Sequence, residues 1–120
     1  MRRRVLVVMP QQAERLMYGD VLDHDGYYTI RASLGDARAQ FSAAAPAVVM
    51  IGLDEGGDEI VDFVRWAKHE SGQRCQVIGV TAYPERLVNG RGAACDVCLQ
   101  VPVPLAQIIS TVARCAEGAD

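Results

Sequence analysis

Five short apolar runs, each followed by a stretch with helical spacing, govern what this chain can fold into. Val5-Leu6-Val7-Val8-Met9 is a continuous β-branched run of the kind that forms a strand covered on both faces. Residues 47–53, 76–81 and 97–101 repeat that character, and residues 27–32 form a shorter β-prone run after the Asp25-Gly26 turn signal. Between them, residues 11–23 carry Leu16, Met17 and Val21 at helical spacing. Gly35-Asp36 opens a second helix with Ala37 and Phe41 inward. Asp58 is placed to cap a third, through Lys68, whose apolar stripe is Ile60, Phe63, Val64 and Ala67. Pro84 suits the first turn of a fourth helix, which Gly90 and Gly92 should stop early. Pro104 opens a last helix with Leu105, Ile108, Ile109 and Val112 inward. Five βα units predict an α/β fold: a parallel sheet with right-handed crossovers and helices on both faces. In such a sheet, sites form at the carboxyl ends of the strands. The positions to watch are therefore Met9-Pro10-Gln11, Gly52-Leu53-Asp54, Thr81-Ala82 and Val101-Pro102.

The chain's 120 residues are one domain's worth, 1–120, and half of them are hydrophobic, enough for a core of its own. A formal charge of -3 gives no general drive toward nucleic acid or an anionic membrane, so direct contact with either is not expected. Arg2-Arg3-Arg4 followed by an apolar run resembles a signal peptide start. The run ends at Pro10, however, too short for such a segment, and reads as a basic lead-in to a buried strand. No stretch approaches the length of a membrane helix. Cys75, Cys95, Cys98 and Cys115 then read as free thiols in a cytoplasmic protein.

The order of segments resembles the receiver domain of two-component response regulators over essentially the whole chain. RVLVV sits where receivers have a strand followed by an acidic pair. DGYYTIRASLGDARAQFSAAAPAVVMIGL is similar to their second strand, second helix and phosphoacceptor strand. QVIGVTAY ends in the Thr-Ala of receivers, and ACDVCLQVPVP resembles the segment around their fifth strand. The resemblance implies a flavodoxin-like, doubly wound, five-stranded sheet in the order 2-1-3-4-5. It also implies phosphoryl transfer to an aspartate, with a divalent metal held by the acidic pair, a lysine, and a Ser/Thr hydroxyl on the product. Such chemistry needs cations and donors around developing negative charge.

The charged parts of that apparatus are replaced here. The acidic-pair positions match Met9 and Pro10, and the phosphoacceptor position matches Gly52. The lysine position matches Val101, and the aromatic switch position matches Cys98. Thr81 and Pro102 are kept. No acidic residue precedes Glu14, and Lys68 is the sole lysine. A thioether and a pyrrolidine ring are poor ligands for a hard cation, which prefers oxygens. Asp54 stands just past Gly52 as a displaced acceptor, but as a lone loop carboxylate it reads as a solvated cap.

Other signals resolve locally. Gly56-Gly57-Asp58-Glu59 looks like the motif of diguanylate cyclases, yet it falls between a strand and an amphipathic helix, where a Gly-rich turn suffices. Cys95-x-x-Cys98 has no second pair to complete a zinc site, and with Cys98 in a strand and Cys95 at its mouth the side chains should not converge. Trp66 lies off the inner stripe of its helix, as an interface anchor or as packing over the helix edge.

The expected function is a non-enzymatic, non-phosphorylatable signalling module in a two-component or related pathway, with no metal and no cofactor. Its partner is another protein or a linked output domain. A homodimer through the face made by the fourth helix, fifth strand and fifth helix is included, with Trp66 and Cys98 as interface candidates. Two alternatives stand beside it: a small-ligand sensor using the emptied pocket of Met9, Pro10, Gly52, Thr81, Val101 and Pro102, and a weakly active receiver phosphorylated at Asp54.

Overall fold

A computed structural model describes residues 2–118; Met1, Ala119 and Asp120, which belong to the 1–120 span, lie outside the described residues. The strands are β1 (Arg4–Val8), β2 (Tyr28–Ala32), β3 (Val48–Gly52), β4 (Gln76–Thr81) and β5 (Val97–Gln100). They form one parallel sheet in the order β2-β1-β3-β4-β5. The helices are α1 (Gln12–His24), α2 (Ala37–Ala44), α3 (Asp58–Glu70), α4 (Gly90–Ala93) and α5 (Leu105–Gly118).

Strand residues alternate between two cores, as the pleat requires. Val5, Val7, Val48, Met50, Ile78 and Val80 face α1 and α5, where they meet Tyr18, Leu22, Ile108 and Val112. Leu6, Val8, Val49, Ile51 and Val77 face α2 and α3, against Ala37, Phe41, Phe63 and Val64. Both faces are covered, which is why β1 and β3 read as unbroken apolar runs.

Several local expectations are corrected. On α1 the buried residues are Tyr18, Gly19 and Leu22, while Leu16 and Met17 are about half exposed. Tyr18 and Leu22 are four apart and share a face, and the absence of a side chain at Gly19 lets the Arg31 guanidinium of β2 lie across the helix toward Asp20 and Asp23. Asp58 does not cap α3: Gly57 holds the cap position and Asp58 is the first helical residue, where its charge still favours the helix N-terminus. Leu105 faces outward, and α5 instead buries Ile108, Thr111, Val112, Cys115 and Ala116.

The fourth helix is reduced as expected, but by another route. Residues Pro84–Leu87 form a 3-10 turn, and α4 is a single turn that contains Gly90 and Gly92 instead of ending before them. A Cβ on Gly92 would stand 2.1 Å from the Arg86 carbonyl oxygen. Gly92 thus permits close backbone approach rather than breaking a helix. At the opposite end of the sheet, Lys68 of α3 donates to Asp96 and to the Cys75 carbonyl, and Asp96 accepts from Val77 N–H at 2.7 Å, fixing the start of β5.

Candidate functional site

The carboxyl ends of β1, β3, β4 and β5 bring together the positions singled out from the sequence. Met9 follows β1, donates its N–H to the Ala32 carbonyl and is fully buried in the α1/α5-side core. Gly52 ends β3, and a Cβ there would meet Met9 Sδ at 3.1 Å and Pro10 Cδ at 3.4 Å. Leu53 is also fully buried. The space is therefore packed with apolar atoms, and a larger residue at 52 would have to displace Met9. Val101 donates its N–H to the Thr81 carbonyl at 2.8 Å, its side chain packs half-buried on the α1/α5-side core, and the Val101–Pro102 peptide is cis. The donor set around Met9, Pro10 and Gly52 does not fit a hard divalent cation, because none of those side chains offers an oxygen.

Asp54 departs most from its sequence reading. It is no solvated cap. Its Oδ1 accepts from the Thr81 hydroxyl at 2.5 Å and from Arg86 Nη1 at 2.8 Å, and its Oδ2 accepts from Ala82 N–H at 2.9 Å. Thr81 is fully buried, and its hydroxyl oxygen also accepts from Tyr83 N–H. Partial burial pushes the Asp54 carboxyl up, but the bonds from Thr81, Ala82 and Arg86 outweigh it and hold the group below the usual carboxylate range. The guanidinium of Arg86 also lies over the Tyr83 ring, 4.7 Å from its centroid.

A hydroxyl, an amide N–H and a guanidinium converging on one point make a ready site for any oxyanion. Here the chain's own carboxylate fills it. A second arginine adds to the closure: Arg91 of α4 donates to the Leu53 carbonyl at 2.7 Å. Together the two arginines fasten residues 84–93 to the loop after β3. Sequence reasoning sought a lysine near the fifth strand and passed over Arg86 and Arg91. The only signal was an arginine five residues beyond Thr81, which has meaning once the 3-10 turn folds it back.

The Cys95 and Cys98 thiols do converge, against expectation. Each lies close enough to the other to shift its ionisation. Cys95 Sγ also lies 3.5 Å from the Arg91 carbonyl, and Cys98 Sγ 3.3 Å from that of Gly92. Gly79 of β4 makes this possible, since a Cβ there would stand 2.9 Å from Cys95 Sγ. Among the described residues no three His, Cys, Asp or Glu side chains cluster as metal ligands. Trp66 packs against Phe41 and Phe63, with ring centroids 5.3 and 6.0 Å away, and Arg38 covers its other side at 5.0 Å. Gly56 and Gly57, both at positive φ, form the turn into α3, as a Gly-rich loop requires.

No family model matches the chain, and no curated protein matches it in sequence. Solved structures do. The chain superposes on the chemotaxis protein CheY4 of Vibrio cholerae with a TM-score of 0.82 at 20% identity, covering 95% of this chain and 98% of that one. A response regulator receiver modulated diguanylate cyclase from Pelobacter carbinolicus gives a TM-score of 0.80 at 18% identity, covering 98% and 94%. NtrX from Brucella abortus, in complex with ATP, gives 0.86 at 19% identity over 99% of this chain but 28% of that longer one. The fold is that of a response regulator receiver domain. Among the described residues, no helix is long and apolar enough to cross a membrane.

Proposed function

From a receiver fold whose acidic pocket is replaced, we propose that this chain is a non-phosphorylatable signalling module. It acts in the cytoplasm by protein contact, within a two-component or related pathway, and catalyses nothing itself. The observation that carries this reading is the Asp54 lock. Both carboxylate oxygens are engaged by Thr81, Ala82 and Arg86, and Met9, Pro10 and Gly52 supply no metal ligand beside it. A phosphoryl group would find its donors already taken. The same packing speaks against a small-ligand sensor at this place, because Met9 and Leu53 fill the cleft.

The contact surface is then set when the chain folds, not by phosphoryl transfer. The face built by residues 84–93, β5 and α5 suits a partner protein, a linked output domain or a second copy. Tyr83, Val88 and Leu105 expose large apolar surfaces on the segments flanking β5, Val88 the most at 84%. One of the similar solved proteins is described as a receiver modulated cyclase, which supports a regulatory place for such a fold beside an output domain. The net charge of -3 gives no reason for direct nucleic acid contact.

Incubation with acetyl phosphate and magnesium, followed by intact mass measurement, tests the proposal. The mass is expected to stay unchanged. A phosphoryl addition mapping to Asp54 would overturn the reading in favour of a weakly active receiver.

A further inference from the structure

The thiols of Cys95 and Cys98 take no part in the Asp54 lock and sit at the margin of the α2/α3-side core. Cys95 stands in the bend after α4 and Cys98 inside β5, beside Gly79 of β4. Both are partly exposed, unlike Cys75 and Cys115, which are buried. Each thiol lies against a backbone carbonyl of α4, Cys95 on Arg91 and Cys98 on Gly92, and Cys98 is in register with Gly79, whose missing side chain makes room for Cys95 Sγ. The thiols therefore join the one-turn helix to the edge of the sheet. We propose that Cys95 and Cys98 form a redox pair, oxidised to a disulfide by a hydroperoxide, and that oxidation loosens α4.

The two thiols differ in the way such a pair needs. The neighbouring Cys95 thiol brings the Cys98 thiol down to about 7, burial opposes it, and a backbone hydrogen bond with Gly79 assists. The neighbouring Cys98 thiol, burial and the Asp96 carboxylate push the Cys95 thiol up. Cys98 is the attacking group and Cys95 the resolving one. The Cys98 thiolate attacks one peroxide oxygen, breaks the O–O bond and becomes a sulfenic acid. The hydroxide released takes up the proton that Cys98 had lost, giving water. Cys95 sulfur then attacks the sulfenic sulfur, the S–O bond breaks, and its proton leaves with the hydroxyl as a second water. The pair loses two electrons to the peroxide. Cys95 is freed for this step, since the thiolate charge beside it no longer exists. In the dithiol form each S–H faces a carbonyl of α4; a disulfide has no S–H, so the donors facing the Arg91 and Gly92 carbonyls are lost together.

This proposal is independent of whether Asp54 can be phosphorylated. Its test is hydrogen peroxide treatment of the whole chain, alkylation with iodoacetamide after denaturation, and tryptic mapping. Cleavage after Arg91 and Arg114 leaves Cys95 and Cys98 on one peptide, apart from Cys75 and Cys115. That peptide is expected to lose both alkyl groups and two hydrogens, with Cys75 and Cys115 still alkylated. In Cys95→Ser, Cys98 is expected to be captured by dimedone as a sulfenic acid. Hydrogen exchange of residues 84–93 is expected to rise about fivefold on oxidation. Alkylation of both Cys95 and Cys98 after a peroxide dose that oxidises a free-thiol peptide would overturn the pairing. So would sulfinic acid at Cys98 with Cys95 still alkylated. A disulfide that leaves exchange of 84–93 unchanged would overturn the loosening.

Discussion

Asp54 is one residue whose meaning changes entirely with its surroundings. In the sequence it is a carboxylate in a loop, two residues past Gly52. In the fold it takes three hydrogen bonds from two different segments. Its carboxyl is held below the ordinary value of 3.8, so the unfolded chain binds the proton more readily than the native one. The stabilisation it gives is therefore complete above that ordinary value and is lost as pH falls through the lower native one. Burial pushes the Asp23 carboxyl up, but the hydrogen bonds and charge of Thr29 and Arg31 together outweigh it and hold the group down, which adds a second share of the same sign. Thermal melts at a series of pH values are expected to fall below about pH 5 in the parent chain. They are expected to fall less steeply in Asp54→Asn, which keeps the shape and removes the charge. At neutral pH, Asp54→Ala is expected to cost about 1 to 3 kcal/mol, because it strands the buried Thr81 hydroxyl and the Arg86 guanidinium. Melts of Asp54→Ala that match the parent at pH 7 would remove the lock from the argument.

At the scale of elements, the segment between β4 and β5 is held by polar contacts where the strands are held by apolar burial. It holds one 3-10 turn and one turn of α-helix, with Gly92 as its sole buried residue. What fixes it is polar: Arg86 to Asp54, Arg91 to the Leu53 carbonyl, and the Asn89 side chain accepting from Arg91 N–H. Gly92 sits directly on the backbone of the preceding turn. Gly92→Ala, although favourable for helix propensity, is expected to destabilise by about 2 kcal/mol, since backbone cannot yield as a side chain can. Gly90→Ala, with nothing within 4 Å of its added Cβ, is expected to be neutral or slightly stabilising. Denaturant midpoints of the two variants check the contrast. The helix was legible as short because two glycines stood in it. The reason for them was not, because close approach to Arg86 and Leu87 is a property of the folded pair of turns.

Across the whole molecule, stability is unevenly spread. β1, β3 and β4 lie inside the sheet with apolar cores on both faces, and β3 is buried at four of its five positions. Residues 84–93 lack such burial. Native-state hydrogen exchange is expected to be at least about a hundredfold faster in residues 84–93 than in β3. Equal protection would mean that the polar clamps rival the apolar core. The exposed side chains on this side belong to the same picture. Val88→Asp and Leu105→Asp are expected to leave folding stability within about 0.5 kcal/mol, as surface changes do. They are also expected to weaken self-association or capture of an output domain. Sedimentation of the variants against the parent distinguishes a contact surface from incidental exposure.

The βα alternation, the parallel sheet and most inward-facing residues of α2 and α3 follow from the sequence by itself, because periodicity of 2 and 3.6 is a local property of the chain. The loss of the acidic pair and the phosphoacceptor is equally local: Met9, Pro10 and Gly52 carry no carboxylate wherever they lie. Tertiary structure alone decided what occupies that place instead. Asp54 and Arg86 are 32 residues apart, and Cys95 faces Cys98 only because Gly79 on another strand leaves room. The inner face of α1 was decided the same way, by Arg31 crossing Gly19. Pairings of this kind depend on which loops the crossovers bring side by side, and no spacing along the chain encodes that distance.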